Sequence, residues 1–252
     1  ALHGRDGEDG PAQSYFEYLQ IPYTHSGVLS SMNAMDKVIS KKIFKKNKLK
    51  TPKYFIIKNK TLNKNTLKNY VKKYSLNFPI VIKPSNEGSS IGVKICKNYN
   101  ELKRSFGLLK KNYKTLIFEK YIGGQEVQVA VMNGRALGAI ELKPKRKFYD
   151  YTAKYFKSAK TKHIMPANIS KKKYLKVLKI AERTHKALKC RGVTRCDFKI
   201  LNNKFYLLEI NTQPGMTNLS LVPEIAKYRG ISFDNLVKRI ILDASIGRWL
   251  NQ

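Results

Sequence analysis

Three acidic residues interrupt apolar runs: Ile117-Phe118-Glu119, Cys196-Asp197-Phe198 and Leu207-Leu208-Glu209-Ile210-Asn211. An ionised carboxylate inside a core costs several kcal/mol unless it is paired or coordinated, so each of these acids needs a partner. The last two segments flank Asn202-Asn203-Lys204 and read as the arms of a hairpin. A three-residue loop there, with one Asn left-handed, opposes Asp197 to Glu209 and Arg195 to Asn211. A two-residue turn shifts the register by one and sends the carboxylates to opposite faces. In the first register Cys196, Phe198 and Ile200 share an apolar face with Tyr206, Leu208 and Ile210, which makes Cys196 a small core residue. Opposed carboxylates repel unless a cation sits between them. The oxygens of Asp197, Glu209 and Asn211 suit Mg²⁺, which keeps substrate phosphates in its shell; neutralisation by a Lys or by Arg195 is the alternative.

A phosphate-binding side complements this hairpin. Lys83 closes the apolar run Pro79 to Ile82, and Asn86-Glu87-Gly88-Ser89-Ser90-Ile91-Gly92 follows it, offering backbone N–H groups and hydroxyls to a polyanion. The loop lacks the Walker A spacing and by itself suits an ordinary hairpin turn equally well. With Lys37 and the acidic hairpin added, it reads as a nucleotide site.

The elements that position these groups follow from periodicity and turn residues. Residues 12–19 form a short helix in an otherwise loop-rich opening, and 35–48 form a helix with Asp36 in its first turn, where negative charge suits the dipole. A helix near 64–74 precedes short strands at 79–83 and 91–96. Strands follow at 115–119, 126–132 and 135–142, the last two joined by the Asn133-Gly134 hairpin signal. Residues 143–168 lack periodicity and read as a long loop, a frequent form of active-site lid. Ser170 caps a helix whose apolar Tyr174, Val177, Leu178, Ala181 and Leu188 keep helical spacing, with Gly192 ending it. Strands at 193–200 and 205–211, the Pro214-Gly215 loop and a helix near 233–248 complete the chain.

Composition limits the classes of function. The 252 residues contain 50 Lys and Arg against 17 Asp and Glu, a net charge of +33, yet only 10 of the basic residues are Arg. Dedicated phosphate or base readers favour Arg forks and aromatic platforms. Here Lys is spread over most polar stretches, as at Lys41, Lys42, Lys45, Lys46, Lys171, Lys172 and Lys173, so the charge reads as a solvated surface rather than a nucleic-acid interface. A basic polyanion-binding module stands as the rival reading, and steep salt dependence would mark it. No run of 18 apolar residues is present, which argues against a membrane helix. Cys96, Cys190 and Cys196 are odd in number and lack C-x-x-C spacing, so neither a disulfide framework nor a zinc site is indicated and a reducing cytoplasm fits. The opening Ala1-Leu2-His3-Gly4 does not read as a signal peptide.

The motifs together resemble the D-alanine–D-alanine ligases of the ATP-grasp superfamily over essentially the whole chain. They are His3-Gly4-Arg5-Asp6-Gly7-Glu8-Asp9-Gly10, Met35-Asp36-Lys37, Ile82-Lys83-Pro84-Ser85-Asn86-Glu87-Gly88-Ser89-Ser90, Phe148-Tyr149-Asp150-Tyr151-Thr152-Ala153-Lys154-Tyr155, Arg195-Cys196-Asp197, and Leu208-Glu209-Ile210-Asn211-Thr212-Gln213-Pro214-Gly215-Met216-Thr217. The resemblance implies an α/β (α+β) ATP-grasp fold, two α+β domains sandwiching the nucleotide, with the remnant of an N-terminal parallel-sheet domain. The expected boundaries are 1–34 for that remnant, 35–122 for the central unit and 123–252 for the C-terminal unit. Members of the family begin with a further segment bearing a Ser-x-Glu element, so this chain reads as lacking the first part of that domain.

Roles are implied position by position. Lys37 and Lys83 contact ATP phosphates; Glu119, Lys120 and Ile122 hold the adenine, with Phe148 nearby; Glu126 takes the ribose hydroxyls. Asp197, Glu209 and Asn211 match the ligands of two Mg²⁺ ions, for which Mn²⁺ can substitute. Ser89, Lys154 and Tyr155 close over the reacting groups, and Arg195 with the N–H of Gly215 binds the oxyanion. Ser220 and the N–H of Leu221 receive the carboxylate of the second D-alanine, and His3 lies on the substrate side. Plainer roles compete: loop packing for Tyr149, Tyr151 and Tyr155, a surface Lys for Lys154, a helix cap for Ser220 and a structural loop residue for His3. The implied reaction phosphorylates one D-alanine with ATP and lets the amine of the second attack the acyl phosphate, supplying peptidoglycan precursors in the cytoplasm. The implied partners are D-alanine and ATP, with neither membrane nor specific nucleic acid, and the implied assembly is a homodimer. The alternatives are a ligase forming D-alanyl-D-lactate or D-alanyl-D-serine, against which Tyr155 argues, and an inactive ATP-binding fragment.

Overall fold

The computed structural model describes residues 2–58, 64–88, 90–144, 161–217 and 220–247. Ser89, Phe148, Tyr149, Tyr151, Lys154 and Tyr155 lie outside the described residues. In chain order the elements are α1 (Pro11–Tyr18), α2 (Val28–Met35), α3 (Lys37–Lys46), β1 (Tyr54–Lys58), α4 (Lys64–Lys73), β2 (Ile80–Pro84), β3 (Lys94–Cys96), α5 (Tyr99–Asn112) and β4 (Thr115–Lys120). There follow β5 (Gln125–Met132), β6 (Arg135–Lys143), β7 (Lys162–Ile164), α6 (Lys171–Ala187), β8 (Val193–Leu201), β9 (Lys204–Asn211), α7 (Leu221–Tyr228) and α8 (Phe233–Leu242). The result is two antiparallel sheets, ordered β1-β4-β2-β3 and β7-β6-β5-β8-β9.

Alternation sorts the first sheet into a core face and a cleft face. Phe55, Ile80, Ile82, Leu116 and Phe118 pack with Leu102, Phe106 and Leu109 of α5 and Leu67 of α4, and Phe55 stacks on Phe118 with ring centroids 4.7 Å apart. The intervening residues point the other way. Because Val81 pairs with Glu119 and Lys83 with Ile117, Lys83 and Glu119 become diagonal neighbours on the cleft face. The segment expected as a strand from Ile91 contributes only β3, since Ser90 (φ 63°) and Gly92 (φ 69°) are left-handed and break the ladder. A Cβ on Gly92 would also meet Pro84 Cγ at 2.8 Å.

The second sheet is covered on both sides. Val127, Val129 and Val131 pack beneath Val177 and Ala181 of α6, whereas Ala130, Met132 and Ile140 meet α7 and α8 through Val222, Ile225, Leu236 and Ile240. Asn133 (φ 48°) and Gly134 (φ 77°) make the expected tight turn between β5 and β6. Ser170 holds the N-cap position of α6 but makes no side-chain cap bond, and the helix ends at Ala187, with Lys189 (φ 55°) left-handed just beyond; Gly192 lies past that end.

Between β8 and β9 the turn has two residues, Asn202 and Asn203, both left-handed at φ 47° and 58°. Such a turn alone separates Asp197 from Glu209. A bulge restores the pairing: Phe198 opposes Leu207, Leu208 is the extra residue, and Asp197 then faces Glu209 while Arg195 faces Asn211. The core partners of Cys196, Phe198 and Ile200 are therefore Ile210, Leu207 and Phe205, correcting the assignment of Tyr206 and Leu208 to that face.

Residues 2–34 are less loop-rich than expected. α2 buries Ser30, Ser31 and Ala34, a face that carries no apolar period in the sequence. Ser30 Oγ donates to Lys189 O at 2.8 Å, so burial leaves no hydroxyl stranded. α1 is tied down through Glu17, whose carboxylate accepts from Tyr23 OH at 2.7 Å and Gly247 N–H at 2.8 Å. All three cysteines are free and buried. Among the described residues no helix is long and apolar enough to cross a membrane.

Candidate functional site

The cleft faces of the two sheets bound a cavity. Lys37, Lys83, Glu119, Lys120, Ile122, Glu126, Asp197 and Glu209 all line it, joined by Glu87 and Ser90 of the glycine loop. The lysines come from two elements. Asp36 is the N-cap of α3, not a first-turn residue: its Oδ1 accepts from Val38 N–H at 2.7 Å and Ile39 N–H at 3.2 Å. The next residue, Lys37, thereby starts the helix at the cleft wall. Its ammonium donates to Glu87 O at 2.6 Å and lies 3.4 Å from Glu209 Oε2, touching the glycine loop and the acidic hairpin at once.

Lys83 reaches Glu119 Oε1 at 2.6 Å, and Lys41, one turn along α3 from Lys37, reaches Glu119 Oε2 at 2.8 Å. Burial raises the Glu119 carboxyl, but Lys41 and Lys83 outweigh it and hold the pKa at about 2. Lys41 is 0% exposed, so the reading of it as one of many solvated lysines was wrong. Its α3 position, on one helical face with Lys37 and Phe44, is the signal that could have found it. Lys199, also missed, opposes Glu126 across the β5–β8 ladder and pairs with it at 2.8 Å.

On the acidic hairpin, Arg195 grips Asp197 in bidentate fashion, Nε donating to Oδ1 at 2.8 Å and Nη2 to Oδ2 at 3.1 Å. With Lys37 against Glu209, both opposed carboxylates have a protein cation. Asn211 stands one ladder step further and its Oδ1 accepts from Gln213 N–H at 2.8 Å. Among the described residues no group of three His, Cys, Asp or Glu could hold a metal ion; the third donor here is an amide. Two carboxylates and an amide oxygen form a hard, all-oxygen set of the type Mg²⁺ takes, and the repulsion offset by Lys37 and Arg195 is the charge a divalent ion would match.

Among the described residues, Arg195, Asn211, Gly215, Ser220, Leu221 and His3 are not part of this cavity's lining. Gly215 lies beside Ser220, whose Oγ would be 2.8 Å from a Cβ on Gly215. Ser220 holds the N-cap position of α7, yet its hydroxyl accepts from Thr217 N–H at 3.0 Å rather than capping, so the first-turn N–H groups from Leu221 onward receive no side-chain cap from it. His3 is exposed, 3.8 Å from Glu8 Oε2. Its loop joins both sides: Leu2 N–H donates to Gln213 Oε1 at 2.9 Å, and Arg5 lies 3.7 Å from Glu87.

Two antiparallel sheets facing one cleft, with Lys37 and Lys83 lining it beside an acidic hairpin, make the fold that of the ATP-grasp enzymes. The family model described as D-ala D-ala ligase C-terminus matches residues 43–242. The D-alanine–D-alanine ligase of Pelagibacter ubique is 57% identical over 248 residues, 98% of this chain and 80% of that protein. That of Wolbachia pipientis wMel is 46% identical over 250 residues, 97% of this chain and 76% of the relative. The crystal structure of D-alanine–D-alanine ligase from Bacillus anthracis complexed with ATP superposes with a TM-score of 0.82 at 32% identity, covering 96% of this chain and 76% of that one. The chain belongs to the D-alanine–D-alanine ligase family.

Proposed function

We propose that the protein joins two D-alanine molecules at the expense of ATP, forming D-alanyl-D-alanine through an acyl phosphate. The observation that carries the reading is the convergence on one cleft of Lys37, Lys83, Glu119, Lys120, Ile122, Glu126, Asp197 and Glu209. The family resemblance implies ATP and metal roles for these same positions. The relatives named above carry the dipeptide-ligase name, which does not favour the D-lactate or D-serine products.

In this reading the nucleotide lies between the sheets. Lys37 and Lys83 offset the charge of its phosphates, and Glu126, steadied by Lys199, takes the ribose. Both Glu119 oxygens are engaged by lysines, which leaves adenine recognition to backbone groups at Lys120 and Ile122. Asp197, Glu209 and Asn211 would hold Mg²⁺, which would supply charge neutralisation for the transferring phosphoryl group. The D-alanine carboxylate attacks the γ-phosphorus, ADP leaves, and the second amine displaces phosphate from the acyl carbon. Arg195, oriented by Asp197, and the N–H of Gly215 stabilise the oxyanion of that second step. Ser220 and the N–H of Leu221 receive the second carboxylate, with His3 at the substrate side. Ser89, Phe148, Lys154 and Tyr155 rest on the resemblance alone. The division at 34 and 122, two Mg²⁺ ions, a homodimer and a cytoplasmic location are parts of the same proposal.

Phosphate release from ATP tests it. Release should require D-alanine and Mg²⁺ and should accompany dipeptide formation. Hydrolysis with no dependence on D-alanine would refute the ligase reading.

A further inference from the structure

Glu119 is shared by two ammonium groups of unequal surroundings. Lys83 is 7% exposed and lines the cleft, while Lys41 is 0% exposed and sealed behind it. Lys41 Nζ also donates to Thr51 Oγ1 at 2.7 Å and lies 5.3 Å from the centre of the Tyr54 ring. Stability alone is a poor reason for this arrangement, since a buried ion pair is often matched by apolar residues of the same volume.

Charge counting gives a better one. Lys83 with Glu119 alone is a neutral pair, and the lysine's charge is spent before a ligand arrives. Two ammonium groups and one carboxylate leave one positive charge in excess. Because Lys41 is sealed off, that excess is presented where the cluster meets the cleft, at Lys83. We propose that Lys41 is a positioning residue for nucleotide binding: by neutralising Glu119 from behind, it frees the charge of Lys83 for the ligand's phosphates. Lys41 never touches the ligand. The inference rests on the ligase reading above and adds to it a residue in the layer behind the cleft wall. The charged groups around Lys41 are Glu119 on β4, Lys83 on β2 and Glu209 on β9. Burial lowers its pKa to about 8, against the pull of Glu119, so it is mostly charged at pH 7.

The test is calorimetric titration of the whole chain with Mg–ADP, comparing wild type with Lys41→Met, Glu119→Gln and the double variant. Lys41→Met should weaken binding roughly tenfold or more, the effect of removing one unit charge at short range in a site of intermediate dielectric. The double variant should recover most of that loss, because Lys83 again carries an uncancelled charge; a merely structural Lys41 predicts no such recovery. Equal affinity in wild type and Lys41→Met overturns the inference, as does a double variant no better than the single. Should Lys41→Met fail to fold, the neutral but polar Lys41→Gln takes its place in the same comparison: it should bind more weakly than wild type and recover when combined with Glu119→Gln, and equal affinity to wild type again overturns the inference. A folded wild type that binds no Mg–ADP overturns the ligase reading and this inference together, whereas normal wild-type binding with an unaffected Lys41→Met overturns this inference alone.

Discussion

Asp197 faces Glu209 across the β8–β9 ladder because Leu208 is an extra residue on β9 that makes up for a two-residue turn. Both Leu208 and Glu209 line the cleft, so register, more than exposure, selects which one opposes Asp197. Exchanging them, as Leu208→Glu with Glu209→Leu, keeps composition but moves the carboxylate off its partner. Phosphate release in the presence of D-alanine should fall roughly a hundredfold. Deleting Leu208 removes the bulge yet leaves Asp197 opposite Glu209, and should cost less than about tenfold by the same comparison. A larger loss from the deletion than from the exchange would contradict the register argument.

Glu209→Gln keeps shape and removes charge. It should abolish Mg²⁺-dependent turnover, with kcat lower by roughly a hundredfold or more. Chelation of the wild type with EDTA should do the same, and added Mg²⁺ should restore activity. Normal turnover by the variant would exclude Glu209 from the proposed metal site.

Acid should destabilise the fold in two stages. His185 is buried against Thr194, its Nδ1 2.9 Å from Thr194 Oγ1, and burial lowers its pKa from 6.5 to about 4. The unfolded chain therefore binds a proton between those values that the folded chain refuses, so stability is present above pH 6.5 and is lost as pH falls toward 4. The loss amounts to roughly 3 kcal/mol for one such group. Glu119, lowered from 4.5 to about 2, has the same sign and extends the loss below pH 4.5. Urea unfolding from pH 7 to 4.5 should show the decline, and His185→Gln should flatten it; an unchanged slope in that variant would assign the effect elsewhere.

Gly124 joins the two sheets, with φ 90° and Ile200 O only 2.2 Å from where a Cβ would stand. Left-handed backbone and a carbonyl collision act together at this point. Gly124→Ala should lower stability by roughly 2 to 4 kcal/mol. A melting temperature equal to wild type would show that the junction can shift.

The hairpins were legible because their signals are local: alternating strands around Asn133-Gly134 and around Asn202-Asn203. The acidic hairpin was half legible. Its facing carboxylates could be reasoned from the cost of burying them, but the bulge at Leu208 answers to packing of Leu207 and Ile210 in the core, which no local pattern states. α2 escaped because its buried face is Ser30, Ser31 and Ala34, and serines signal a loop unless their long-range acceptors are known. α5 and β1 were overlooked although Asn98 and Glu101 form a cap at the start of α5, with Asn98 Oδ1 accepting from Glu101 N–H at 3.0 Å. Lys41 was misread for a statistical reason: among 40 lysines, a buried one differs from the rest only by what surrounds it.

The contacts of Lys37 with Glu209 and of Arg195 with Asp197 give the acidic hairpin resident counterions. Its shape therefore need not wait for a metal. In the proposed reaction a divalent ion bound by Asp197, Glu209 and Asn211 would compete with Lys37 for Glu209, so its binding would be an exchange of one cation for another. Such a site would hold a divalent ion less tightly than three oxygens without counterions. The strands that carry the proposed ligands would already hold their facing arrangement before any metal arrived.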